Sequence, residues 1–167
     1  MATVDLATNI NAGTHPVQTG QGVFVLEALV DFAAATTAKT SALAANDIIQ
    51  SIDVPANTMI LAGGIEVITA CDASADGTTF NLGVTGTGGI VTSFCNVVDF
   101  EDAAAGSYFS TGTAGASGVY VTAAADTVDL ELQAVSGTTV STGVVRIFVV
   151  CIPVDAKLAP GIAAIGS

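Results

Sequence analysis

Within the run Asp126 to Val135, the residues from Val128 to Ala134 alternate without a break. Val128, Leu130, Leu132 and Ala134 are apolar, and Asp129, Glu131 and Gln133 between them are polar. Successive side chains of a strand point to opposite faces, so a period of two predicts a β-strand with one side buried and one side wet. The same period returns elsewhere. From Val23, residues Phe24, Leu26, Ala28, Val30 and Phe32 fall on one face, while Glu27 and Asp31 fall on the other. Further strand-like runs are Ile48 to Val54, closed by Pro55-Ala56-Asn57, then Thr58 to Ala70, Thr78 to Val84, Ile90 to Val98, Tyr108 to Thr111, Gly118 to Thr122 and Gly143 to Val154. Gly, Asp, Asn and Pro separate them, the residues that turns select. Gly63-Gly64 inside the third run predicts a bulge or a close backbone approach. Ala33 to Ala45, rich in Ala and Thr, reads as a loop or a short helix.

Eight or nine short strands with hardly a helical period predict an all-β protein, an antiparallel β-sandwich of jelly-roll-like type. A length of 167 residues suits one domain with a substantial core. The sandwich is expected over residues 23–154. Residues 1–22, with Asn9, Asn11, Gly13, Pro16, Gly20 and Gly22 as breakers, read as an extended N-terminal arm, and residues 155–167, with Pro160 and Gly161, as a C-terminal tail. The last strand differs from the others. Val145, Ile147, Val149 and Cys151 form one face, and Val144, Arg146, Phe148, Val150 and Ile152 form the other, so both are apolar. A strand covered on both sides is either central in a sandwich or capped by another subunit.

Charge narrows the function further. Charged residues are 11% of the chain against about 25% in typical proteins, and hydrophobic residues are 51%. Disorder is excluded by that balance. A surface of Thr, Ser, Ala and Gly with few ions costs little to desolvate, which suits subunit packing. The formal net charge is −12, with Lys39, Arg146 and Lys157 the only Lys and Arg. Nucleic-acid binding draws on many cations and anionic membranes attract them, so both partners are disfavoured. Mean hydropathy is +0.70, yet no apolar run reaches the roughly 18 residues of a membrane span. The start, Met1-Ala2-Thr3-Val4-Asp5, lacks the basic and apolar regions of a secretory signal, so synthesis in a cytoplasm is expected. Cys71, Cys95 and Cys151 are odd in number and widely spaced, which reads as three reduced, buried thiols.

No constellation for catalysis or for a cofactor emerges. His15 is the sole histidine and lies in the expected arm, away from any pocket. Asp72-x-Ser74-x-Asp76-Gly77 copies the first half of a calcium loop, making Asp72, Ser74 and Asp76 a weak metal candidate. The twelfth position is Gly83 instead of an acid, and a solvated hairpin turn is the favoured reading. Asp99-Phe100-Glu101-Asp102 offers paired carboxylates, but glycoside chemistry wants a cleft as well, and a solvated loop is favoured. The Gly-rich stretch Gly83 to Gly89 follows a strand without opening a helix and reads as a turn.

The stretch Asn46 to Gly64, a polar opener, a strand, Pro55-Ala56-Asn57 and a second strand broken by Gly63-Gly64, resembles small virion proteins of tailed bacteriophages. The similarity of pattern extends over residues 23–154, through Asp/Gly hairpins to the apolar strand Arg146 to Val154. Within that group the chain most resembles head decoration or cement proteins. The resemblance implies a non-enzymatic homotrimer on the outer capsid surface, with the major capsid protein as partner. The acidic charge agrees with a place outside a DNA-filled shell. Phe148, Val150 and Ile152 on the two-sided strand, and Tyr108 with Phe109 near a loop, are the expected interface anchors. A tail or head-fibre component is the first alternative, although neither repeats nor a coiled-coil stalk are visible. A carbohydrate-binding surface module is the second, and it would need exposed aromatics that a chain with two Tyr and no Trp lacks.

Overall fold

The computed structural model describes residues 3–5, 22–72, 77–86, 89–99, 103–110, 120–135 and 140–154. The strands are β1 (Thr3–Asp5), β2 (Phe24–Asp31), β3 (Ile48–Val54), β4 (Thr58–Thr69), β5 (Thr79–Gly86), β6 (Gly89–Val98), β7 (Tyr108–Phe109), β8 (Tyr120–Thr122), β9 (Asp126–Ala134) and β10 (Val144–Pro153), with one helix, α1 (Phe32–Lys39), after β2. One sheet has the order β1-β3-β9-β5-β6, and the other has β2-β10-β4-β7, with β8 also on β4. The two form an all-β sandwich. β1 runs parallel to β3, and every other pairing among the described residues is antiparallel. The pairing is nested: β2 lies against β10, β3 against β9, β4 against β7 and β8, and β5 against β6.

The period-two pattern fills the space between the sheets. Val145, Ile147, Val149 and Cys151 of β10 are buried with Ala28 and Val30 of β2 and Ile60, Ile65 and Val67 of β4. From the other sheet come Phe80, Leu82 and Val84 of β5, Phe94 of β6, and Val128, Leu130 and Leu132 of β9. Each fully buried side chain of this size contributes roughly 1.5–3 kcal/mol of transfer free energy. α1 begins where Asp31 caps it, the carboxylate accepting from the amides of Ala33 at 2.9 Å and Ala34 at 3.1 Å. It buries Phe32 and Ala35. The Phe32 ring meets Phe80 at a centroid distance of 5.8 Å, joining the end of one sheet to the other. Thr40, with φ +62°, ends the helix. Lys39 then bridges the buried Asp47 carboxylate, which also accepts from the Ala44 amide at 2.7 Å, and this fixes the link into β3.

Gly63 and Gly64 are sites of close approach. A Cβ at Gly63 would lie 2.8 Å from Cγ of Phe94 on the facing sheet. At Gly64 it would lie 2.7 Å from Cζ of Phe148 and 2.9 Å from the carbonyl oxygen of Phe109. One of the two register shifts in this pairing falls nearby, between the Val150–Ala62 and Cys151–Ile60 pairs.

One expectation fails. Asp129 and Glu131, the supposedly wet side of β9, are buried. Glu131 accepts from Asn81 Nδ2 at 3.1 Å, and the Asn81 carbonyl accepts from the Val97 amide at 2.9 Å. Alternation separated the two faces of β9 correctly, but the polar face is covered at Asp129 and Glu131 and open only at Gln133. Val97 has φ +52°, costly for a β-branched residue, at a register shift in the edge strand β6. Bulges of this kind bend an edge away from further pairing.

Candidate interaction surface

The side chains of β10 that point away from the core are Val144, Arg146, Phe148, Val150 and Ile152, all half-buried. Register places them beside outward residues of both neighbours. Val150 faces Val25 of β2 and Ala62 of β4, Phe148 faces Glu27 and Gly64, and Ile152 faces Met59. With no side chain at Gly64, the Phe148 ring lies over the backbone there, which flattens the surface. Val25 is 53% exposed, Leu29 43% and, on the far side, Val121 46%. Apolar side chains therefore run across four adjacent strands on the outside of the second sheet, the kind of patch that marks a contact surface.

The ions on this face pair with one another. Arg146 bridges Glu66 on β4 through Nη2 and lies 3.6 Å from Glu27 on β2 through Nη1. Tyr108 on β7, 63% exposed, donates its hydroxyl proton to Glu66 Oε1 at 2.6 Å. The Tyr108 bond is the main cause that holds the Glu66 carboxyl below its ordinary pKa; partial burial opposes it and Arg146 reinforces it. Reciprocally, Glu66 pushes the Tyr108 hydroxyl and the Arg146 guanidinium up. A row of groups crossing β2, β10, β4 and β7 is thus satisfied within the chain, so a partner covering the face need not supply polar contacts at its centre.

The sequence-derived candidates separate on the structure. Phe148, Val150, Ile152 and Tyr108 share the outer face. Phe109 stands opposite Ile65, turned inward and packed against the core. Glu27, Glu66, Val25 and Leu29 belong to the face and were missed. A signal for the first two exists, because a lone half-buried Arg in an apolar strand is favoured by a carboxylate on a neighbouring strand. Of the calcium candidates, Ser74 and Asp76 lie outside the described residues. Both Asp72 oxygens accept hydrogen bonds, from the Ser141 amide at 3.0 Å, the Ser141 hydroxyl at 2.8 Å and the Thr142 amide at 3.3 Å. Burial alone would raise this carboxyl, and those bonds more than offset it, leaving it below the usual range. Asp72 therefore works as a tie between the segment after β4 and the one before β10. His15, and Glu101 and Asp102 of the acidic cluster, lie outside the described residues.

Among the described residues no three His, Cys, Asp or Glu side chains converge as a metal site, and no helix is long and apolar enough to cross a membrane. An open groove of about 420 Å³ is lined by Gln50, Asp53, Val54, Pro55, Ala125, Asp126 and Thr127.

The chain is thus a mostly antiparallel two-sheet sandwich whose second sheet has an apolar outer face. The same fold occurs in phage shells. A chain in the capsid structure of Ralstonia phage GP4 matches with a TM-score of 0.62 at 14% identity, over 91% of this chain and 98% of that one. A chain in the capsid asymmetric unit of cyanophage Pam1 matches with a TM-score of 0.51 at 18% identity, over 82% and 91%. At these identities the likeness is one of fold. No protein-family profile and no curated protein sequence matches the chain.

Proposed function

We propose that the chain is a structural protein of a phage virion, a decoration or cement subunit that stabilises the outer capsid shell by clamping neighbouring major capsid subunits. The observation that carries this reading is the near end-to-end overlap of its fold with a chain of a phage capsid. The apolar outer face supports it, since a clamp acts by burying surface between capsomers. A standard contact of about 1,600 Å² gives affinities from micromolar to picomolar, and repetition over a symmetric shell multiplies modest contacts. The net charge of −12 supports a place outside the packaged DNA. The nested strand order supports the jelly-roll reading.

The working unit in this reading is a homotrimer, with residues 155–167 reaching to neighbours; of the arm expected over residues 1–22, Thr3–Asp5 is tied to β3 of its own sheet. A reconstruction of the native particle tests it. Three-fold clusters of this sandwich on the outer shell, bridging capsid subunits, are the expected result. The sandwich found in the tail, or inside the shell, would overturn the assignment.

A further inference from the structure

The outer face of the second sheet is apolar in the middle and acidic in balance. Along β2 it carries Glu27 and Asp31, and on β4 Glu66, against the single guanidinium of Arg146. Among the described residues the cations are Lys39 and Arg146, and each is already engaged by carboxylates of its own chain. A second copy laid on this face would therefore set acid against acid, with no spare cation among the described residues to relieve it. Nucleic acid and anionic lipid headgroups would meet the same repulsion.

We infer that this face docks a non-identical protein subunit whose contact patch is apolar at the centre and carries Lys or Arg where it meets Glu27 and Asp31. The inference rests on the virion reading for the source of that partner, and it assigns self-association to another surface of the chain. Apolar anchors at Val25, Leu29, Phe148 and Val150 supply the burial. Glu27 and Asp31, at the margin along the edge strand, steer approach and register.

The test uses capsid shells stripped of this chain and purified full-length protein, with binding followed by co-sedimentation from about 50 to 500 mM salt. The wild type binds, and loses about fivefold in affinity over that range as the marginal charge pairs are screened. Val25→Asp binds at least about tenfold more weakly, because a carboxylate is buried in place of a methyl pair. Glu27→Gln flattens the salt dependence. Both variants stay folded and keep the oligomeric state of the wild type, since Val25 is exposed and Glu27 half-exposed. Val25→Asp protein that binds shells as the wild type does would overturn the inference alone. Loss of self-association in Val25→Asp would overturn it too, by placing a second copy on the face. Wild-type protein that binds stripped shells at no salt concentration would sink the virion reading and this inference with it.

Discussion

Tyr108 donates its hydroxyl proton to Glu66 across the β4–β7 pair, at 2.6 Å, on the outside of the sandwich. Glu66 in turn holds Arg146 on β10, so one short row ties four strands together at the surface. Its carboxylate must be ionised for the row to form. Glu66 is held below the ordinary carboxyl value of 4.5, first by Tyr108 and also by Arg146. A depressed folded value means that the contribution is fully present above the unfolded pKa and is lost as pH falls through the folded one. Melting temperature measured from about pH 6 down to pH 3 is expected to fall more steeply for the wild type than for Tyr108→Phe. Equal slopes would contradict the role given to the hydroxyl.

The closeness of Gly64 to its neighbours makes a second prediction. A methyl group there meets the Phe109 carbonyl oxygen, which belongs to the backbone and yields little, and displaces the Phe148 ring. Gly64→Ala is expected to cost about 1–3 kcal/mol in urea unfolding, the usual range for overpacking. A change below about 0.5 kcal/mol, the scale of an ordinary surface substitution, would show that the strands part easily.

Thr122 holds the β3–β4 turn from β8. Its buried hydroxyl accepts from the Thr58 amide at 3.1 Å and reaches the carbonyl of Pro55 at 2.7 Å and that of Thr58 at 3.1 Å. Thr122→Val keeps the shape and leaves a buried amide and carbonyl without this partner. A loss of about 1–3 kcal/mol is expected from urea unfolding. Stability unchanged from the wild type would mean that water replaces the hydroxyl.

All three thiols are buried and outside any disulfide, and burial pushes Cys151 up to about 12. Thiolate is the reactive form, so the native protein at neutral pH is expected to be silent toward a disulfide reagent while the denatured chain titrates three thiols. Fast reaction of a thiol in the native state would show that the sheets open there.

Much of this fold was legible in the sequence because period-two alternation fixes strands directly. Ile48–Val54 was placed to the residue, and the last strand within one residue at each end. The undecided stretch after β2 became a helix, since Asp31 caps it and Phe32 with Ala35 anchors it in the core. What alternation does not carry is the identity of whatever covers a face. Asp129 and Glu131 looked solvated because they are acids opposite an apolar face, yet Asn81, fifty residues away, hydrogen-bonds Glu131 in the interior. The site was partly legible for the same reason. The double apolar face of β10 announced an apolar outer surface, but the Glu27–Arg146–Glu66–Tyr108 row depends on cross-strand register, which one strand alone does not reveal. Phe109 and Tyr108 are adjacent in sequence, and the strand period sends one inward and the other out.

Hydroxyl-radical footprinting of Tyr108 and Phe148, in the isolated chain and in the native particle, tests most directly whether the outer face of the second sheet is built to be covered by protein. Tyr108 is 63% exposed in the free chain and should be readily modified there. In the assembly both residues are expected to fall to background. Equal modification of Tyr108 and Phe148 in the two states would contradict the account.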